Sequence, residues 1–289
     1  MIELFEKAYA KINLSLDVLG IRPDGYHDLK GIMQTISLCD DLTLHLDTGR
    51  EWQLDCGNPL IPNDNRNLAW RAAESFFKAT DIHPNGVSIH MKKRIPSEAG
   101  MGGGSADAAA VLRALNRHYS FPFSCESLIS LAATVGSDVP FCLYGGTAIA
   151  EGRGERLTWL PDLSECVIVA CKPDFSVSTP VLFRRVDGYS LRERPNHSAM
   201  EAAVRRQDLS GIGPLVCNVF DPIVGQDYPM IENIKNSMLR SGALGAQMTG
   251  SGSAVYGIFD RLDHAQDAAR KLSVMLDLVW ICTPVGKYT

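Results

Sequence analysis

The chain has 289 residues, 45% hydrophobic and 21% charged, which is the composition of a soluble globular protein with ample core. A net charge of −5 and a pI near 5.8 argue against a dedicated nucleic-acid binder. No apolar run approaches the ~20 residues that span a bilayer, and the opening residues lack a basic region followed by an apolar one, so the expected location is the cytoplasm.

The length exceeds one average domain, and the pattern of elements starts again beyond Pro161. The expected division is 1–160 and 161–289. The eight cysteines are scattered, with no C-x-x-C pair, and read as reduced core thiols rather than a disulfide frame or zinc site. The histidines are equally dispersed.

From Tyr9 to Val18 the residues alternate without exception: Ala10, Ile12, Leu14, Leu16 and Val18 on one side, Lys11, Asn13, Ser15 and Asp17 on the other. This predicts a half-buried strand with one polar face, which for an isolated strand is a solvated face. Pro23-Asp24-Gly25-Tyr26-His27 is a turn signal that leaves Tyr26 and His27 just past a bend. Alternation at Leu42, Leu44 and Leu46, and at Val87, Ile89 and Met91, predicts two more strands. Residues 67–77 have helical spacing through Leu68, Ala72, Ala73 and Phe76.

Residues 96–109 read P-S-E-A-G-M-G-G-G-S-A-D-A-A. Glycine is costly inside a helix or strand, so Gly100, Gly102, Gly103 and Gly104 mark backbone that approaches something closely. Ser105 is the expected N-cap of a helix burying Ala108, Ala109, Val111, Leu112 and Leu115. Backbone donors at a helix N-terminus form an anion site, with phosphate the usual anion. A flexible loop ending in an ordinary capped helix is the alternative. No Lys precedes Ser105, which excludes a Walker A loop, and the dinucleotide fingerprint fails at its sixth position.

Ser124 caps a further helix bearing Leu128, Leu131 and Val135. The segment Gly136-Ser137-Asp138-Val139-Pro140-Phe141 then leads into an apolar strand, with Asp138 either a turn residue or a carboxylate held at a site. In the second half, strands are expected at 167–170, 245–248, 254–259 and 278–282. Helices are expected around Ile231, Ile234 and Met238, and around Ala265, Ala268, Ala269 and Leu272, with a polar loop over 184–197. Helices on one antiparallel sheet suggest an α+β sandwich. Thr249-Gly250-Ser251-Gly252-Ser253 reads as a plain glycine-rich hairpin.

Taken in order, A-K-I-N, P-D-G-Y-H, the Gly-Ser run, G-S-D-V-P-F and T-G-S-G-S resemble the GHMP kinases. Within them the chain is similar to the branch that phosphorylates the 2-hydroxyl of a cytidine-diphosphate-linked methylerythritol in the non-mevalonate isoprenoid pathway. The resemblance runs from about Lys7 to the final strand and is weakest over 187–215. It implies a two-domain α+β fold, with a ribosomal-protein-like β-α-β arrangement in the N-terminal domain and a ferredoxin-like α/β sandwich in the C-terminal one. It also implies ATP as donor, with Mg²⁺. Oligomeric state and the Mg²⁺ ligands are not read from it.

Position by position, the resemblance makes Lys11 the lysine near the reacting hydroxyl and Asp138 the aspartate that accepts or orients its proton. Pro96, Ser97, Glu98, Ala99, Gly100, Met101, Gly102, Gly103, Gly104, Ser105 and Ala106 match the ATP phosphate loop. Asn67 and Lys93 fall where the family places adenine-side contacts. Asn13, Tyr26, His27, Thr179 and Phe183 match the pocket for the cytidine substrate, with the Phe183 ring stacked on cytosine. Tyr26 precedes the expected boundary and Phe183 follows it, so rings from both domains are expected around the base. Many relatives carry two adjacent hydroxyl residues after the glycines; here the second is Ala106, leaving Ser105 as the loop's only hydroxyl.

Two other readings remain open at this level. One is a catalytically inactive nucleotide-binding regulator on the same scaffold, opposed by the presence of both Lys11 and Asp138. The other is a kinase of this superfamily with a different substrate, such as homoserine or mevalonate, opposed by P-D-G-Y-H.

Overall fold

A computed structural model describes residues 2–163, 165–189 and 193–288. The chain forms two compact units that interleave in sequence. One comprises Met1–Ala10, Leu38–Ser97 and Gly102–Tyr144, the other Lys11–Ser37, Glu98–Met101 and Gly145–Thr289. The cut nearest to residue 160 therefore falls between Tyr144 and Gly145.

Two 20-residue strands, β1 (Ile2–Ile21) and β2 (His27–Leu46), each contribute to both units. In the first unit the C-terminal half of β2 pairs antiparallel with β4 (Val87–Lys92), whose other neighbour is the short parallel strand β3 (Gln53–Asp55). Leu42, Leu44, Leu46, Ile89 and Met91 are buried there, as the alternation requires. Helix α1 (Leu68–Thr80) starts where Asn67 caps it and stops at Asp81, which takes a left-handed conformation. It packs on α2 (Gly103–His118) through an aromatic cluster in which Phe76 stacks on Tyr119, with ring centroids 6.0 Å apart. Helix α3 (Cys125–Val135), capped by Ser124, and the short α4 (Val139–Tyr144) complete this unit.

In the second unit the N-terminal half of β2 pairs antiparallel with β5 (Thr147–Gly152), and β5 with β6 (Arg156–Leu160). A four-stranded antiparallel sheet is built from β7 (Val167–Lys172), β9 (Gly245–Met248), β10 (Val255–Phe259) and β11 (Leu278–Cys282), in the order β11-β7-β10-β9. Between β7 and β9 come α5 (Thr179–Asp187), α6 (His197–Arg205), α7 (Leu209–Ile212), β8 (Cys217–Asn218), α8 (Asp221–Asp227) and α9 (Met230–Arg240). Helix α10 (Leu262–Leu272) follows β10. Ile231, Ile234 and Met238 of α9 and Ala265, Ala268 and Leu272 of α10 form one core with Val169, Met248, Val255 and Phe259 of the sheet. That is the α/β sandwich expected of the second half.

Four local expectations need correction. Ser105 does not cap α2: Gly102 does, with φ 71°, and Gly103 and Gly104 lie inside the first turn. Glycine's freedom is used at the cap, where left-handed backbone is needed, while the next two positions follow ordinary helical backbone. A helix, α4, rather than a strand directly follows Asp138. The polar stretch after Arg184 is helical through Asp187, and helix resumes at His197; residues 190–192 lie outside the described residues. Finally, the polar face of β1 is not solvated. Lys11, Asn13, Ser15 and Asp17 are each at most 5% exposed.

Candidate functional site

Burying a row of polar side chains is costly unless each finds a partner. Along β1 they do, within the second unit. The Lys11 ammonium donates to Asn13 Oδ1 at 2.6 Å, Ser15 Oγ lies 3.1 Å from His197 Nδ1, and Arg194 donates to Asp17 at 2.7 Å. The Asn13 backbone is held from both ends. Its N–H donates to Thr249 Oγ1 at 3.0 Å, and its carbonyl accepts from the fully buried Tyr256 hydroxyl at 2.8 Å. Lys11 is therefore a fixed cation on a rigid strand.

The glycine run is divided between the units. Glu98–Met101 belongs to the second, where it packs on the T-G-S-G-S hairpin and on β1. The Met101 carbonyl accepts from Lys11 N–H at 3.0 Å, the Ala99 carbonyl from Ala254 N–H at 3.2 Å, and the Gly100 carbonyl from Thr249 Oγ1 at 3.4 Å. Gly100 has φ +72°, and a Cβ there would stand 2.1 Å from the Thr249 carbonyl oxygen. The hairpin is thus no plain connector. Its backbone sits where only glycine fits opposite it.

Pro96, Ser97 and Gly102–Ala106 belong to the first unit. Ala106, like Ala99 and Met101, is buried, whereas Gly104 is exposed at the start of α2. The first amides of a helix have no partner within it, so this terminus offers N–H donors to an anion. Beside it runs the turn that carries Asp138: a Cβ on Gly136 would lie 4.0 Å from Ser105 Oγ. The Asp138 carbonyl accepts from Cys142 N–H at 3.1 Å, starting α4, and the residue is half-buried.

Lys93 lies close by; a Cβ on Gly103 would stand 3.7 Å from its ammonium. That ammonium is held by Asp40 and Asp107, each at 2.5 Å. Burial pulls the Lys93 pKa down, but the two carboxylates outweigh it and the net shift is upward. Asp107 is pushed up to about 7, chiefly by burial, and its Oδ1 has no hydrogen-bond partner among the described residues. Asn67 is also engaged, accepting from Ala69 N–H and donating to the Pro62 carbonyl, both at 2.9 Å. Both residues hold local structure through these bonds.

The residues matched to the cytidine pocket all lie in the second unit, which corrects the expectation of rings drawn from two domains. His27 packs on Phe183 with ring centroids 4.7 Å apart, and Phe183 on Phe220 edge to face at 5.0 Å. His27 Nε2 donates to Asp187 Oδ1 at 2.8 Å. Tyr26 is 56% exposed, with the Arg153 guanidinium 5.0 Å from its ring centre. Thr179 Oγ1 and Ser251 Oγ share a hydrogen bond of 2.8 Å, which ties the start of α5 to the hairpin.

Three residues that hydrogen-bond to these motifs escaped sequence reasoning: Asn218, Tyr256 and Asp187. Asn218 stands in an unremarkable C-N-V-F run, and its partners, the Met248 and Gly250 carbonyls, are 30 and 32 residues away. Tyr256 read as a strand core residue, and Asp187 fell in a stretch read as loop. Only the spacing of Asp187 from Phe183, one helical turn, could have pointed to it.

The chain matches the family model described as GHMP kinases N terminal domain over residues 67–146, and that described as GHMP kinases C terminal over 200–276. It is 42% identical over 277 residues to the 4-diphosphocytidyl-2-C-methyl-D-erythritol kinase of Caldicellulosiruptor saccharolyticus, covering 96% of this chain and 95% of that protein. It is 42% identical over 283 residues to the protein of the same name from Lachnoclostridium phytofermentans, covering 98% and 94%. A crystal structure of 4-(cytidine 5'-diphospho)-2C-methyl-D-erythritol kinase superposes with a TM-score of 0.81 at 35% identity, over 98% of this chain and 100% of that one. A homoserine kinase from Cytophaga hutchinsonii shares the fold, with a TM-score of 0.76 at 17% identity over 99% and 95% of the two chains.

Proposed function

The chain belongs to the GHMP kinases, and from that premise we infer that it transfers the γ-phosphoryl group of ATP to the 2-hydroxyl of 4-diphosphocytidyl-2-C-methyl-D-erythritol. It is a phosphotransferase with an alcohol acceptor, on the α+β fold of that superfamily. The observation that carries this reading is likeness to kinases of this name along nearly the whole chain.

Phosphoryl transfer passes through a loose transition state, so positioning and charge neutralisation matter more than a strong base. We assign the triphosphate to the run 96–106, with the free amides at the start of α2 and Ser105 as donors. Mg²⁺ would come with the ATP phosphates and offset their charge. Asn67 and Lys93 support the nucleotide side through the structure they hold. Lys11, fixed by Asn13, offsets charge developing on the transferring group. Asp138 orients the acceptor hydroxyl and takes its proton late, once bond breaking at phosphorus is advanced.

Tyr26, His27, Thr179 and Phe183 receive the cytidine diphosphate part of the substrate, with rings for stacking and polar edges for the base. The product would feed the non-mevalonate isoprenoid pathway, and the expected compartment is the cytoplasm. An ADP-release assay tests this reading. ADP should form with the cytidine substrate and not with mevalonate or homoserine; the reverse preference overturns it.

A further inference from the structure

We propose that Asp187 is a specificity-determining residue: by fixing the tautomer of His27, it makes the site read cytosine and reject uracil. This rests on the assignment of His27 to the cytosine edge made above.

A carboxylate offers only acceptors, so the 2.8 Å contact between Asp187 Oδ1 and His27 Nε2 requires the hydrogen on Nε2. In the neutral ring the other nitrogen, Nδ1, is then a bare acceptor. It has no hydrogen-bond partner among the described residues. The ring cannot turn to exchange its nitrogens without losing Asp187, and it is packed on Phe183 at 4.7 Å. The His27 side chain is 13% exposed and Asp187 34%, so the pair lies at the edge of the protein where a base can reach the ring.

Cytosine presents an amino donor at C4, and uracil presents a carbonyl acceptor there. An acceptor at Nδ1 accepts from the first and sets lone pair against lone pair with the second. The discrimination is therefore partly repulsive. Asp187 acts through His27 and does not itself touch the base.

Asp187→Asn separates tautomer from shape. The side chain keeps its size, but its amide can donate to Nε2, which frees the hydrogen to sit on Nδ1. Two measurements on the full chain test the proposal. In ¹⁵N NMR, His27 should shift from the Nε2–H form toward the Nδ1–H form. Titration with CDP and UDP should show their affinity ratio falling roughly tenfold or more. In turnover, the loss should appear in KM for the cytidine substrate more than in kcat. Unchanged His27 resonances, or an unchanged CDP to UDP ratio in a variant that still binds CDP, overturns the role of Asp187 while leaving the kinase reading intact. A parent protein that binds UDP as tightly as CDP overturns the cytosine assignment of His27 and the inference with it.

Discussion

The side-chain amide of Asn218 donates to two backbone carbonyls of the glycine hairpin, Met248 and Gly250, each at 2.8 Å, while its Oδ1 accepts from Phe220 N–H at 3.0 Å. One buried residue thus holds the hairpin that supports Gly100 and the ring neighbour of Phe183. Replacing it with Ala leaves two buried carbonyls and one N–H without this partner, each worth ~1–3 kcal/mol. Asn218→Ala should therefore lower stability by about 3 kcal/mol, read as a fall in the urea midpoint, and reduce kcat/KM. An unchanged midpoint would mean that the hairpin is held by other bonds.

Two glycines of the run should respond oppositely to the same change. Gly100→Ala puts a Cβ 2.1 Å from the Thr249 oxygen at φ +72°, so both the loop and the hairpin must move. A loss of more than ~2 kcal/mol is expected, from left-handed strain plus the clash. At Gly104 the nearest atom is Leu68 Cδ1 at 3.5 Å, an ordinary contact, and the backbone is helical. Gly104→Ala should keep or raise the melting temperature, by up to about 1 kcal/mol of stability, while weakening ATP binding. Differential scanning calorimetry, with and without nucleotide, separates the two.

Strands β1, β2 and β4 and helices α1, α3, α9 and α10 were legible because their periodicity is local. The alternation along β1, the Ser124 cap, and the apolar spacing of α9 and α10 each required only neighbouring residues. What β1 faces was not local. A row of Lys11, Asn13, Ser15 and Asp17 reads as solvated until Tyr256, Thr249, His197 and Arg194 arrive from far along the chain to satisfy it. The same holds for the T-G-S-G-S hairpin, whose Gly250 answers to Gly100 rather than to its own turn. Motif order pointed to the family, but the internal commitments of Lys93 and Asn67 needed coordinates.

Asp107 gives a pH dependence with a definite sign. Its folded pKa is raised to about 7 by burial, so on unfolding the carboxyl releases its proton far more readily. Between about pH 4 and 7 the unfolded state has lost that proton and the folded state still holds it, and stability falls as pH rises. Asp107→Asn lacks this slope. Denaturation across pH 4–8 should show the variant gaining on the parent through that window and levelling above it. A difference independent of pH would mean that Asp107 is ionised throughout.

The rings of the cytidine pocket can be told apart by burial. Tyr26 is mostly exposed, so Tyr26→Ala should cost little stability, and any loss of affinity belongs to the ligand. Phe183 packs on both His27 and Phe220, so Phe183→Ala should lower the melting temperature as well. Each loss of a stacking ring should weaken substrate binding by roughly 1–3 kcal/mol. Calorimetric titration with CDP checks this; Phe183→Ala binding as tightly as the parent would remove the ring from the pocket.

The central claim is the transfer itself. ³¹P NMR of a mixture of the protein, ATP, Mg²⁺ and 4-diphosphocytidyl-2-C-methyl-D-erythritol should show ADP and a new phosphomonoester while the cytidine diphosphate linkage stays intact. The same mixture with Asp138→Asn should react on the order of 10²-fold more slowly or worse. A spectrum in which ATP and the cytidine substrate stay unchanged, with a phosphomonoester formed only when mevalonate or homoserine is supplied, would contradict the account.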